Sequence, residues 1–272
     1  MRVAYLGPAG TNSEVAALRA YPEADRLPYA TITAAARAVA SGDAGCAVLP
    51  IENSLQGSVT ETVDLLVHDE GIAICREVVL PIEHCLMVAP GRERAEIETI
   101  YSHPQSLGQC RRYLEANFPD ARTEAALSNA EAVQVMLRTP RSAAIGPPRA
   151  AEIYGAQILE RAIEDSRANK TRFVAVARED AAATGHDKTS LAFAVAHDRP
   201  GTLVSVLHEF ADRQINLTKI ESRPSGEELG VYVFLIDVEG HRDEPPVAQA
   251  LAAVREQADF FKVFGSYPAW RE

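Results

Sequence analysis

Short apolar runs alternate with helical stretches over the first 180 or so residues. The first run, residues 3–6, precedes a Gly-Pro-Ala-Gly turn and a helical pattern that starts at about Asn12. A second run at 46–49 leads into a polar segment and then a helix at about 60–67. Further apolar runs follow at residues 72–74, 84–88, 97–101, 125–127 and 143–145. This alternation predicts an α/β fold, in which a parallel or mixed sheet is covered on both faces.

Polar clusters follow four of these apolar runs. Ligands of open α/β sheets bind beyond the carboxyl ends of the strands, so clusters at equivalent places predict one shared cleft. The alternative is that each cluster only starts a helix, since Thr11 with Glu14 and Ser128 with Glu131 have capping-box spacing. The clusters are residues 7–13, 50–54, 102–105 and 128–131.

The pattern changes after residue 180. Residues 181–187 are small, polar and without period, which predicts a linker. A strand pattern at 189–195 is followed by a helix entered through Pro200. The remaining elements are strands at 217–222 and 231–238 joined by a turn at 224–228, a helix at 246–257 and a strand at 260–267. The order βαββαβ predicts a ferredoxin-like domain at 188–268, separate from the domain at 1–180.

The charge balance narrows the class of partner. Asp and Glu number 38 against 27 Lys and Arg, a net charge of −11. Nucleic acid is therefore not an expected partner, because its phosphates need a basic surface, whereas an anionic metabolite is still possible. No apolar stretch approaches a membrane span, and the N-terminus lacks the features of a signal peptide. The sequence thus predicts a cytoplasmic protein without a membrane partner.

The four cysteines, Cys46, Cys75, Cys85 and Cys110, form no C-x-x-C pair. Three lie in or beside apolar stretches, which favours buried free thiols. His84, Cys85 and His103 have no recognised zinc spacing, so no metal is predicted.

Four multi-residue motifs together resemble the prephenate dehydratase family. They are Asn169-Lys170-Thr171-Arg172-Phe173, Gly7-Pro8-Ala9-Gly10-Thr11, Pro50-Ile51-Glu52-Asn53-Ser54 and Ser102-His103-Pro104-Gln105. The C-terminal unit resembles the ACT domain that regulates this family. Its two phenylalanine-binding motifs are matched by Gly201-Thr202-Leu203-Val204 and Glu221-Ser222-Arg223-Pro224. The resemblance covers nearly the whole chain in order and spacing, and it is specific as a set.

The resemblance implies a catalytic domain of two lobes, similar to periplasmic-binding-protein folds, with the active site between them. It implies the decarboxylating dehydration of prephenate to phenylpyruvate for L-phenylalanine biosynthesis, with L-phenylalanine as allosteric effector and a homodimer or homotetramer as the assembly. Aromatisation of the ring drives this reaction, so no cofactor or metal is required. Relatives fused to a chorismate mutase carry helices ahead of the first strand. That activity is not expected here, since the strand begins at residue 2.

The resemblance makes Thr171 the hydrogen-bond donor to the leaving hydroxyl. Arg172 suits a carboxylate by chemical type, although a salt bridge between lobes is the alternative. Phe173 suits an apolar wall or an ordinary core position. Glu52 and His103 are the titratable residues expected to supply or recover the proton.

Further polar residues are expected to orient the substrate, and helix N-termini after Gly10 and Ser128 offer N–H groups that suit carboxylates. Each could equally be a cap or turn residue. They are Gly10, Thr11, Ser13, Asn53, Ser54, Gln105, Ser128, Asn129 and Asn169.

The resemblance also implies an effector site between two ACT domains. Leu203 and Val204 fit the core face of a helix equally well. The expected contacts are Gly201, Thr202, Leu203, Val204, Asn216, Leu217 and Glu221. Asn129 stands where the family generally has threonine, and Thr202 where alanine is common.

Two other functions are compatible with this pattern. Arogenate dehydratase performs the same reaction on the aminated substrate and shares the motifs. A non-catalytic amino-acid sensor could combine a binding-protein-like fold with an ACT domain, but it has no need of a proton donor such as Thr171.

Overall fold

The computed structural model describes residues 1–69, 71–195, 200–224 and 232–271. It divides into two compact units. The first consists of Met1–Thr62 and Val78–Phe173, and the second of Val63–Glu77 and Val174–Glu272. No helix in the described ranges is long and apolar enough to cross a membrane.

Strands and helices alternate along the chain, as the apolar pattern predicts. The strands are β1 (Arg2–Leu6), β2 (Asp25–Tyr29), β3 (Cys46–Asn53), β4 (Gly57–Ser58), β5 (Ala73–Pro81), β6 (Cys85–Val88), β7 (Thr99–Ser102), β8 (Arg122–Ala125), β9 (Ser142–Gly146), β10 (Gln157–Glu160), β11 (Lys170–Ala177), β12 (Asp187–Val195), β13 (Leu217–Pro224), β14 (Tyr232–Glu239) and β15 (Ala258–Pro268). The α-helices are α1 (Asn12–Ala20), α2 (Ile32–Ser41), α3 (Thr60–His68), α4 (Pro104–Gln109), α5 (Arg111–Asn117), α6 (Asn129–Arg138), α7 (Pro148–Tyr154), α8 (Thr202–Ala211) and α9 (Pro245–Gln257).

The first sheet has the strand order β2-β1-β3-β11-β5, with β4 paired to β3. Strand β1 runs parallel to both β2 and β3, so the carboxyl ends of β1 and β3 lie at one edge. Helices α1 and α2 bury alanines, including Ala16 and Ala35, and such small side chains allow a close approach. Leu6 and Asn53, which end β1 and β3, therefore lie on the same side of this lobe.

The second sheet, with the order β10-β6-β9-β7-β8, forms the other lobe of the first unit. Strands β7, β8 and β9 are parallel, and β6 is antiparallel to β9. Buried side chains such as Met87 and Val133 pack on one face, while Ile100 and Leu114 belong to a cluster on the other. The ends of β7 and β8 direct the clusters at 102–105 and 128–131 to one edge.

The second unit contains the antiparallel sheet β13-β14-β12-β15. Its core joins Phe193 and Ile236 of the sheet with Phe210 of α8 and Val254 of α9. The chain order from β12 to β15 is the predicted βαββαβ arrangement, and the predicted fold class is confirmed.

Some local predictions were wrong. The expected strand at 125–127 lies instead at Arg122–Ala125, and Leu127 is 88% exposed. Cys75 is only half-buried, whereas the other three cysteines are buried free thiols as predicted. Residue 231 and most of the predicted turn at 224–228 lie outside the described residues.

Candidate active site

The polar clusters of the two lobes meet in one cleft of about 940 Å³ in the first unit. From the first lobe, Ser13 and Asn53 line it. From the second lobe, His103, Gln105 and Asn129 face them. The cleft expected from the positions of these clusters in the sequence is thus present in the fold.

Alternate residues around the start of β11 form one wall of this cleft. Asn169, Thr171 and Phe173 line it, whereas Lys170 and Arg172 do not. This follows from strand geometry, since successive side chains point to opposite faces. Phe173 is 2% exposed, so its ring is both a cleft wall and part of the buried interior.

The Thr171 hydroxyl is held by Asn53. The Asn53 Nδ2 group donates to Thr171 Oγ1 at 2.9 Å and to Asn169 Oδ1 at 2.8 Å. Its Oδ1 accepts the Leu55 main-chain N–H at 3.0 Å, which fixes the orientation of the carboxamide. Because the Thr171 oxygen accepts this hydrogen bond, its own proton is available to a ligand.

Arg172 and Glu52 do not lie in the cleft. Their side chains form an ion pair with 3.6 Å between Arg172 Nη1 and Glu52 Oε2. Each neighbours a residue that does line the cleft, Thr171 and Asn53, and strand alternation turns it to the opposite face. The structure therefore does not bring either to the substrate position that the motif predicts for it.

His103 lies in the cleft at the start of α4, where Pro104 takes the first helical position. Its Nδ1 accepts the Gln105 main-chain N–H at 3.3 Å. Burial lowers the pKa of His103, which favours the neutral ring. With Nδ1 as acceptor, the neutral ring carries its proton on Nε2, so His103 offers a neutral donor rather than a charged acid.

Two of the expected substrate contacts have structural positions outside the cleft lining. Gly10 has a φ of +85°, and a Cβ there would lie 3.1 Å from the Ala150 Cα. Ser54 Oγ donates to the Ala168 carbonyl at 2.8 Å and accepts the Lys170 N–H at 2.9 Å. These residues shape the loops that carry the cleft.

Thr11 and Ser128 line the cleft and also cap α1 and α6 by accepting the Glu14 and Glu131 N–H groups. The two glutamates do not complete a capping box. Glu131 instead accepts from the Leu127 N–H at 2.7 Å, one residue before the cap. Glu14 accepts from the Gly10 N–H and pairs with Arg149 at 3.1 Å.

Two helix N-termini lie at the cleft. Among the described residues that line it there is no lysine or arginine, and Glu131 is the only acidic residue. The first residues of α1 and α6, Asn12 and Asn129, line the cleft. Helix N-termini carry a partial positive charge and N–H donors, which suit a carboxylate.

The Asn129 side chain, which stands where the resemblance leads us to expect threonine, joins two elements of the second lobe. Its Oδ1 accepts from the His103 N–H at 3.2 Å and from Ser106 Oγ at 3.0 Å, and it lies 3.1 Å from Ser102 Oγ, which donates to the Ile145 carbonyl at 2.8 Å. This carboxamide oxygen ties α6 to the loop between β7 and α4, and the amino group is the part left for a ligand.

The cleft residues that sequence analysis did not assign to the site include His84 and Gln109. The Gln109 Oε1 accepts from Asn169 Nδ2 at 2.9 Å and lies 2.8 Å from His84 Nε2. Gln109 follows Gln105 by four residues on α4, and this helical spacing is a signal that could have identified it. His84 precedes β6 and reaches the cleft only because β6 is antiparallel to its neighbour β9, which no local pattern reveals.

The expected effector residues lie in the second unit. Gly201 caps the start of α8 with a φ of +95°, and no atom of the described residues lies within 4 Å of an added Cβ. Val204 is 54% exposed, whereas Leu203 and Leu217 pack against the hydrophobic cluster. Asn216 donates to Glu239 Oε1 at 3.2 Å.

The expected effector residues Gly201 and Asn216 lie before and after helix α8. Helix α8 begins at Thr202, directly after Gly201, and Val204 lies in its first turn. Asn216 follows the other end of the helix, which is at Ala211. Ten helical residues span about 15 Å. Glu221, on β13, forms an ion pair with Lys219 at 3.3 Å.

Comparison with known proteins gives two family matches along the chain. The model described as prephenate dehydratase matches residues 3–181, and that of the ACT domain matches residues 189–256. A protein named prephenate dehydratase from Corynebacterium glutamicum is 39% identical over 278 residues, which cover 99% of this chain and 88% of that protein.

Two solved structures are similar over almost the whole chain. Prephenate dehydratase from Arthrobacter aurescens in complex with L-Phe has a TM-score of 0.91 at 35% identity, covering 99% of this chain and 90% of that one. A protein described as GqqA, a novel type of quorum quenching acylase, has a TM-score of 0.89 at 31% identity, covering 99% and 98%.

Proposed function

This chain belongs to the prephenate dehydratase family, and from that membership we propose that it converts prephenate into phenylpyruvate for L-phenylalanine biosynthesis. The prephenate dianion takes up one proton and yields the phenylpyruvate anion, carbon dioxide and water. The bond to the ring carboxylate breaks, its electron pair enters the ring, and the C–O bond to the hydroxyl breaks. The observation that carries the proposal is the Thr171 hydroxyl, held in the cleft by Asn53 with its proton free for a ligand.

Thr171 assists the departure of the hydroxyl. Hydroxide is a poor leaving group and needs a hydrogen bond or a proton as the C–O bond lengthens. A threonine hydroxyl is too weak an acid to end the reaction deprotonated, so Thr171 donates a hydrogen bond, and the proton that completes water comes from another donor. The Nε2–H of neutral His103 in the same cleft is also too weak an acid to give up its proton, so it adds a second hydrogen bond, and solvent supplies the proton that completes water.

The cleft holds the dianion without a lysine or arginine among its described lining residues. The N-termini of α1 and α6 and the donors of Ser13, Gln105 and Asn129 bind the carboxylates. A carboxylate held by neutral donors loses its charge as carbon dioxide more readily than one held by a cation. Phe173 limits water on this wall.

Arg172 and Glu52 serve the site indirectly. Their ion pair lies behind Thr171 and Asn53 and fixes the facing ends of β11 and β3. Gly10, Ser54 and the caps Thr11 and Ser128 hold the loops from which the donors project.

The acylase activity described for one structural relative fits this cleft less well than the dehydratase activity does. Hydrolysis of an acyl group uses a nucleophile or water activated by a base within hydrogen-bond reach. In the described part of the cleft, the ring nitrogens of His84 and His103 contact Gln109 and the Gln105 N–H, and neither contacts a hydroxyl group.

Steady-state assays with prephenate and with arogenate test the proposal. We expect kcat/KM for prephenate to exceed that for arogenate, with phenylpyruvate as the product detected by its ultraviolet absorbance. A parallel purification from cells that do not express this chain measures contaminating activity. If arogenate were turned over more efficiently, it would be the substrate in place of prephenate. If neither compound were turned over, the proposed function would be wrong.

The domain organisation completes the proposal. Residues 1–180 form the catalytic domain, 181–187 the connection, and 188–268 the ACT domain, which is close to the two family matches. A homodimer or homotetramer and a cytoplasmic location remain predictions from sequence.

L-Phenylalanine binds between the ACT domains of two copies of this chain. The length of α8 supports this, because Gly201 and Asn216 flank a helix of about 15 Å, a separation that favours contacts from two chains. Val204 is exposed, and its side chain suits contact with the aromatic ring.

Glu221→Ala and Gly201→Val are expected to raise the L-phenylalanine concentration for half-inhibition by about 10-fold or more, within the usual range of allosteric coupling. The first removes a carboxylate that suits the effector's ammonium group, and the second puts a β-branched side chain at a backbone φ of +95°, which displaces the start of α8. Glu256→Ala, an exposed carboxylate on α9, is the matched control. The measurement is the inhibition of each variant by increasing L-phenylalanine, with kcat in its absence unchanged. If both variants were inhibited like the wild type, the effector would bind elsewhere.

A further inference from the structure

A chain of side-chain amides crosses the cleft wall and ends at a buried histidine. Asn53 Nδ2 donates to Asn169 Oδ1 at 2.8 Å, and Asn169 Nδ2 donates to Gln109 Oε1 at 2.9 Å. His84 Nε2 lies 2.8 Å from the same Gln109 oxygen. His84 is 1% exposed, and nothing in the mechanism described so far uses it.

The direction of every hydrogen bond in this series of amides can be assigned by starting from the Asn53 end. The Leu55 main-chain N–H can only donate, so the Asn53 atom it meets must be the carbonyl oxygen. Asn53 therefore turns its amino group to Asn169, which must present its own oxygen and turn its amino group to Gln109.

The same reasoning identifies which ring nitrogen of His84 carries the proton. Gln109 presents its oxygen to both neighbours, so His84 Nε2 must carry a proton and donate it. Burial lowers the pKa of His84, and the ring stays neutral with Nδ1 unprotonated. Within the described residues, neither His84 Nδ1 nor Gln109 Nε2 has a hydrogen-bond partner.

We propose that His84 is a positioning residue for the dehydration, which holds the Gln109–Asn169–Asn53 relay in the direction that leaves the Thr171 proton for the leaving hydroxyl. The relay is anchored by a main-chain N–H at one end and by the His84 N–H at the other. Without the second anchor, Gln109 can rotate and present its amino group to that of Asn169, which repels it. The inference rests on the proposed dehydratase function.

His84 does not supply the proton through this relay. A side-chain amide passes a proton along only by way of its high-energy imidic acid form. The role of His84 is therefore to order Asn53 and, through it, the Thr171 hydroxyl, so its loss should affect kcat more than KM.

A pair of amide substitutions tests this geometry. His84→Gln places an N–H donor near the position of Nε2, whereas His84→Asn carries the same amide one bond short of it. We expect kcat of His84→Gln within about threefold of the wild type and kcat of His84→Asn about 10-fold lower, with KM in both within about twofold, since one ordering hydrogen bond is at stake.

A second buried histidine provides the control that separates the specific position of His84 from the loss of a buried histidine in general. His241 is also 1% exposed but lies in the second unit, where its Nε2 is 2.9 Å from the Ala181 carbonyl. His241→Asn should lower Tm comparably with His84→Asn and leave kcat unchanged.

A double variant tests whether His84 acts through Gln109. In a Gln109→Leu background the relay is already broken, so adding His84→Asn should lower kcat no further. Equal kcat for His84→Gln and His84→Asn, or effects that multiply in the double variant, would overturn the inference. A wild-type protein that does not turn over prephenate would instead overturn the proposed function.

Discussion

Thr171→Ala is expected to lower kcat for prephenate by about 10²–10⁴, the usual contribution of a positioned proton donor. The Thr171 hydroxyl lies on the β11 wall of the cleft. Its oxygen accepts a hydrogen bond from Asn53, which leaves its proton available to the substrate. Alanine fits the same half-buried position, so the fold and KM should change little.

Two variants isolate the hydroxyl. Thr171→Ser keeps it and should retain most of the activity. Thr99→Ala removes a threonine of similar burial on β7, outside the cleft lining, and should leave kcat unchanged. Circular dichroism and Tm verify folding. A Thr171→Ala protein that is folded and turns over prephenate at a near-normal rate would remove Thr171 from the mechanism.

The position of the cleft could be predicted from sequence because α/β sheets collect the ends of parallel strands at one edge. Residues 7–13 follow β1 and residues 102–105 follow β7, and the fold brings both to the cleft. Polar residues after short apolar runs therefore carried information about tertiary structure.

The assignment of roles within one motif could not be predicted in the same way. Thr171 and Arg172 are adjacent in sequence, but strand alternation places them on opposite faces. The sequence offered no strand prediction over β11, and without it the motif appeared to deliver all of its side chains to one place.

His84 and Gln109 show a second limit. Their contact depends on the antiparallel pairing of β6 with β9 and on the end of α4, which are separated along the chain. Polar residues that meet only through tertiary structure give no local pattern, apart from the four-residue spacing of Gln105 and Gln109 on α4.

Asn53→Asp is expected to lower kcat by about 10²-fold or more at neutral pH, because it reverses the polarity of the hydrogen bonds that order Thr171. Asn53 is 7% exposed, and its amino group faces the oxygens of Thr171 and Asn169. A carboxylate of the same shape places a negative oxygen against the Asn169 Oδ1 acceptor, and it accepts the Thr171 proton, which is then withdrawn from the substrate.

The pH profile of this variant distinguishes hydrogen bonding from a loss of shape. Burial against acceptors raises the pKa of the introduced carboxyl group, so protonation on lowering the pH restores one donor. The ratio of variant to wild-type kcat should therefore rise as pH falls through that pKa. Asn53→Ala has no donor at any pH, and its ratio should stay flat.

An exposed substitution of the same chemistry completes the comparison. Asn117→Asp at the end of α5 introduces the same charge far from the relay and should leave both kcat and its pH profile unchanged. If the Asn53→Asp ratio were as flat as that of Asn53→Ala, the Asn53 amino group would be a packing element, and the order of the Thr171 proton would need another source.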